Sequence, residues 1–96
     1  MASGKTSRPY QVQFVDYTVS SKEYQANSYS IEEHSKNVYG LPTDAKVINV
    51  VVLDNNSNLI PVGINDYNNI LYLRISIYNR ATSNLTQTLP IRIFYI

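Results

Sequence analysis

Residues 70–78, Ile-Leu-Tyr-Leu-Arg-Ile-Ser-Ile-Tyr, alternate apolar and polar side chains almost without error. A period of two belongs to a strand, whose successive side chains point to opposite faces. The pattern predicts Leu71, Leu73, Ile75 and Ile77 inward and Tyr72, Arg74, Ser76 and Tyr78 outward. The chain ends the same way after Pro90, with Ile91, Ile93 and Tyr95 on one face and Arg92, Phe94 and Ile96 on the other. Residues 45–54 are apolar on both faces and rich in β-branched side chains. That predicts a central strand, or one with a face in a subunit interface. Residues 59–64 resume as a strand that Pro61, lacking an N–H, places at an edge or breaks.

The first half is less regular. Residues 10–19 alternate, but the apolar set moves from Tyr10, Val12 and Phe14 to Val15, Tyr17 and Val19. One extra residue near Phe14–Val15, a β-bulge, would produce that slip. Ser20-Ser21-Lys22 then reads as a turn. Residues 23–40 read as a strand followed by a polar loop or a short helical turn. Ser30-Ile31-Glu32-Glu33 fits a capping box, and Gly40 with Pro42 stops any helix. Asn-rich turns are expected at 55–58 and 65–69, because Asn tolerates left-handed backbone angles, and a polar loop at 79–84. Turns about every ten residues with no long helix predict an all-β fold. The expected architecture is a single antiparallel β-sandwich of six to eight strands, with at most one short helical turn, over residues 10–96. Residues 1–9 read as a flexible N-terminal arm without the apolar run of a signal peptide.

Composition narrows the chemistry. With 96 residues the chain supports one small domain. Its net charge of +1 offers no electrostatic footprint for nucleic acid or an anionic membrane. No cysteine is present, so disulfides and thiolate metal sites are excluded. His34 is the sole histidine, so one chain cannot build a multi-histidine metal site. Three glycines, Gly4, Gly40 and Gly63, cannot supply a phosphate loop, a dinucleotide fingerprint or a nucleophile elbow. The chain therefore reads as non-enzymatic, with no catalytic residues, cofactor or metal.

Binding chemistry is carried by tyrosine and asparagine. Nine tyrosines accompany only two phenylalanines and no tryptophan, and 11 residues are Asn. A tyrosine ring stacks on the apolar face of a sugar while neighbouring amides bind hydroxyls. Tyr67, Asn68, Asn69, Tyr72 and Tyr78 are thus the candidate glycan surface, although both residue types also suit strands and turns for their own sake. Spare apolar faces imply a partner surface. Val50, Val52, Arg92, Phe94 and Ile96 are the candidate oligomer interface, and Arg74 or Arg92 could pair with Glu32 or Glu33 of another subunit.

One resemblance adds a setting. Tyr39-Gly40-Leu41-Pro42-Thr43-Asp44-Ala45-Lys46-Val47-Ile48 leads into the apolar strand and an Asn-rich turn. Pro61-Val62-Gly63-Ile64, the alternating strand ending in Tyr78-Asn79, and Ile91-Arg92-Ile93-Phe94-Tyr95-Ile96 follow in order. Over residues 38–96 this resembles the small C-terminal β-sandwich modules of bacteriophage tail-fibre, baseplate and head-fibre proteins. The likeness lies in pattern and order; a fibre tip usually follows a long shaft, where this sequence has only a short arm, so it reads either as an excised domain or as a small stand-alone virion protein. It implies a non-enzymatic virion structural or adhesion module, commonly a homotrimer. Such a module would meet other virion proteins through the N-terminal arm, and its tyrosine–asparagine surface could bind a host-surface saccharide. The alternative expectation is a monomeric carbohydrate-binding module of a bacterial enzyme or adhesin.

Overall fold

The computed structural model describes residues 11–55, 58–66 and 71–96. Six strands and one helical turn follow in order: β1 (Gln13–Tyr24), β2 (Ser28–Ser35), α1 (Lys36–Tyr39), β3 (Val47–Val52), β4 (Leu59–Asp66), β5 (Tyr72–Asn79) and β6 (Leu85–Tyr95). They form two three-stranded antiparallel sheets, ordered β1-β6-β3 and β2-β5-β4. The sheets pack together as the small all-β sandwich that the alternation predicts. The expectations for the arm and for Tyr67, Asn68 and Asn69 fall outside the described residues.

Alternation builds the core directly. Leu73, Ile75 and Ile77 of β5 and Leu89, Ile91 and Ile93 of β6 are buried, and Tyr95 closes the same row. Leu71 is exposed instead of inward, because it precedes the first paired residue of β5. β6 is the centre of its sheet, and β3 lies at an edge, contrary to the reading of 45–54 as a central strand. Proline in a central strand has a local explanation. The Pro90 carbonyl accepts from the N–H of Leu53, so it points toward the β3 side. Its missing N–H faces the same side, just where β3 has ended at Val52. Pro61 behaves as expected, since β4 is an edge strand whose register shifts between Pro61 and Gly63.

Three local readings are corrected. Residues 14–19 pair with β6 without interruption, and the irregularity falls between Val19 and Lys22. Phe14 is not part of a slipped core phase; it sits on the outer face, half exposed, against Phe94. Ser20-Ser21-Lys22 does not turn, because β1 runs on to Tyr24. The turn is at Asn27, whose φ of 53° is the left-handed region that asparagine tolerates. Ser30 to Glu33 lie within β2, and the helical turn forms at α1, ended by Gly40 with φ 87°.

Polar groups tie each end of the sandwich. At one end Asn79, fully buried rather than part of a loop, donates from Nδ2 to the carbonyls of Tyr24 (3.1 Å) and Ser83 (3.3 Å). Its Oδ1 accepts from the N–H of Ala81 at 2.9 Å. At the other end Lys36 is buried and its Nζ lies 2.7 Å from Asp66 Oδ1. The same ammonium donates to the Ala45 carbonyl at 2.8 Å, and Asp66 Oδ2 accepts from the N–H of Val47 at 2.9 Å. Asp66 is therefore an inward residue at the end of β4, not part of a turn.

Candidate functional site

The outer face of the β1-β6-β3 sheet carries a patch that strand register assembles. Phe14 opposes Phe94 and Asp16 opposes Arg92 across β1 and β6, while Asn49 and Val51 of β3 flank Phe94 and Arg92. The two phenyl rings are 6.0 Å apart and tilted by 58°. The Arg92 guanidinium lies 4.1 Å from the centre of the Phe14 ring, within cation–π range. It also donates to both Asp16 oxygens, at 2.7 and 3.0 Å, a bidentate pair. These hydrogen bonds hold the Asp16 carboxyl below its ordinary value and raise the guanidinium of Arg92. Both phenylalanines of the chain are in this patch, so neither serves the core.

The outer face of the β2-β5-β4 sheet is tyrosine-rich. Tyr29 is 70% exposed and packs on Tyr78 with ring centres 4.8 Å apart; Ile60 follows Tyr78 in the same row. Ile31 is half exposed, and Glu33 pairs with Arg74 at 2.9 Å. Tyr72 and Tyr78 both face outward as expected. They stand six residues apart on one strand, about 20 Å, so a single sugar ring reaches only one of them. Tyr29, which sequence reading did not single out, is the residue beside Tyr78. Its signal was present: it alternates with Ile31 on one face of β2.

The remaining interface candidates separate. Arg92 and Phe94 share the outer patch, and Ile96 is partly exposed just past the end of β6. Val50 is buried and Val52 packs against the core. Neither is on a free outer face, because both alternate with Val51 toward the second sheet. Arg74 and Arg92 pair within the chain, with Glu33 and Asp16. Between the β3 and β4 edges runs a groove of about 360 Å³, lined by Val50, Val52, Leu59, Pro61 and their neighbours, with Asp54 and Arg80 at its rim. A second depression of about 270 Å³ adjoins it at Val50 and Pro61.

Opposite that groove, the β1/β2 side is closed by charge. Glu32 faces inward, 2.7 Å from Lys22 Nζ and 3.0 Å from His34 Nε2. The His34 ring meets Tyr39 edge-on at 5.4 Å. The Tyr39 hydroxyl is shared between the carbonyls of Glu32 and Leu73. Burial alone would raise the Glu32 carboxyl, but hydrogen bonds from Lys22 and His34 outweigh it and lower it below 4.5. Burial, then the Glu32 charge, pushes Tyr24 up to about 12. Since the folded value of Glu32 is depressed, the ionised group contributes stability above the unfolded value, and this is lost as pH falls through the folded one. Wild type should therefore exceed Glu32→Gln in urea resistance near neutral pH, and the gap should close below about pH 4. A gap that is constant across this range would show that the ion pairs contribute nothing.

Among the described residues, no group of three or more His, Asp or Glu side chains could hold a metal ion, and no helix is long and apolar enough to cross a membrane. The arrangement offers two flat, partly apolar faces and one apolar groove. Comparison with protein-family models, curated proteins and solved structures finds no match.

Proposed function

We propose that this chain is a non-enzymatic structural or adhesion module of a virion: a phage fibre, baseplate or capsid-decorating protein that works as a homo-oligomer. The observation that carries the self-assembly is the exposure of large apolar side chains on both outer faces, with Tyr29 at 70%, Phe14 at 51% and Ile31 at 50%. Contiguous apolar surface of this kind marks a place where another molecule docks. The virion setting and the trimer come from the resemblance of residues 38–96. The host-saccharide role rests on the Tyr29–Tyr78 row, whose rings offer a stacking platform.

Light scattering on a size-exclusion column, at two concentrations, tests the reading. The expected mass is a multiple of the 10.9 kDa chain, three-fold if the resemblance extends to oligomer order. A mass of one chain at both concentrations would overturn self-assembly. A monomer whose glycan binding is lost on Tyr29→Ala would then support the carbohydrate-binding alternative.

A further inference from the structure

We infer that the outer face of the β1-β6-β3 sheet binds a second copy of the same chain across a two-fold axis. The axis lies in the face, parallel to the strands and midway between β1 and β6. This rests on the self-assembly reading and names its contact surface.

The argument begins with the phenylalanines. The chain places both of them outside, side by side, and fills its core with Ile, Leu, Val and Tyr. The tyrosines of the opposite sheet carry hydroxyls that bond water, whereas a phenyl ring has no polar tip to keep it wet. Phe14, half exposed and held under Arg92, is a preorganised apolar anchor. Aromatic residues with arginine, and few lysines or glutamates, is the composition of an interface centre.

Charge complementarity selects the occupant. Rotation about the stated axis lays β1 of one copy on β6 of the other, row by row. Phe14 then meets Phe94 of the second copy, and Asp16 meets its Arg92. Each in-chain pair becomes half of a square of alternating charges, with no like charges stacked. A partner with the reverse order would set like charges on Asp16 and Arg92.

The axis overlaps β1 and β6 of each copy and leaves β3 outside, a strip 11 residues of β6 long and two strands wide, about 37 by 10 Å. Stacking two copies covers about 700 Å², the size of a weak, transient contact. The natural crossing of stacked twisted sheets keeps the rows nearest the axis aligned. An isologous contact closes as a pair, so a trimer would need a further surface, for which the Tyr29 face remains open.

A charge-swap mixture tests this. Asp16→Arg gives a copy with two arginines in the square, and Arg92→Asp gives one with two aspartates. Neither should pair with itself, and each should show at least a tenfold loss of self-association. Mixed one to one they should recover pairing, because each arginine of one copy then lies on an aspartate of the other. Circular dichroism checks that each variant is folded, and Phe14→Gln, which leaves every charge in place, should also dissociate. If wild type assembles but the variants assemble equally, or the mixture stays apart, the proposed face is wrong while self-assembly stands. If wild type is a single chain at every concentration, both fall together.

Discussion

Asp66→Ala should cost about 3–5 kcal/mol, a large part of the roughly 5–15 kcal/mol that holds a domain of this size together. The ammonium of Lys36 is buried, with its side chain 3% exposed. Removing the carboxylate leaves that charge in the interior with only the Ala45 carbonyl as an acceptor. It also strips the partner from the N–H of Val47, the first residue of β3. The loss should appear in urea unfolding as a midpoint at least 1 M lower, given slopes of about 1–3 kcal/mol/M. Lys36→Met is the informative comparison. It removes the buried charge itself, and Asp66, closer to solvent, keeps the Val47 N–H. Its cost should be clearly smaller. Equal losses for the two variants would refute the account of an uncompensated ammonium.

Asn79→Ala should cost about 2–4 kcal/mol. The amide makes three hydrogen bonds in a site with no solvent contact. Alanine leaves the carbonyl of buried Tyr24 without that donor and opens a small void. Asn79 also sits between Ser28 of β2 and Leu59 of β4 in register, so its loss loosens three strands at one end. Amide exchange should accelerate first at Asn27 and Ala81, which share a hydrogen bond across the two connections. The control is Asn84→Ala. Asn84 accepts from the N–H of Ala26 but is exposed, so water replaces much of what is lost. Its cost should stay below about 1 kcal/mol. A similar value for Asn79→Ala would show that the buried amide is not the tie described above.

Some of this was legible and some was not. The alternation in residues 70–78 and 91–96 shows the inward rows because each strand has one wet and one dry face. Gly40 and Pro61 were legible because backbone restrictions act locally. The Phe14–Val15 step was misread because adjacent apolar residues have two causes. A bulge shifts the phase of one strand; an outer partner, here Phe94 with Arg92, makes both faces apolar at once. Nothing inside residues 10–19 distinguishes them. The apolar run at 45–54 resembled a central strand, yet β3 is at an edge, with Val50 and Val52 toward the core and groove and Val51 on the outer face beside Arg92. Glu32 and His34 were hidden for the converse reason: their inward position is acceptable only because Lys22 of β1 and the rings of Tyr17 and Tyr39 meet them.

By itself, then, the order of residues determined the all-β class, the inward faces of β5 and β6, the end of α1 and the irregularity of β4. Each follows from chain geometry within a few residues: a period of two, a missing N–H, a backbone angle open to glycine. Only the tertiary structure decided which strand is central, which apolar residues stay outside and which charges are buried. Those outcomes depend on pairing between segments as distant as Asp16 and Arg92 or Lys36 and Asp66. Their free energy exists only once both partners have left water together, and no local pattern records it.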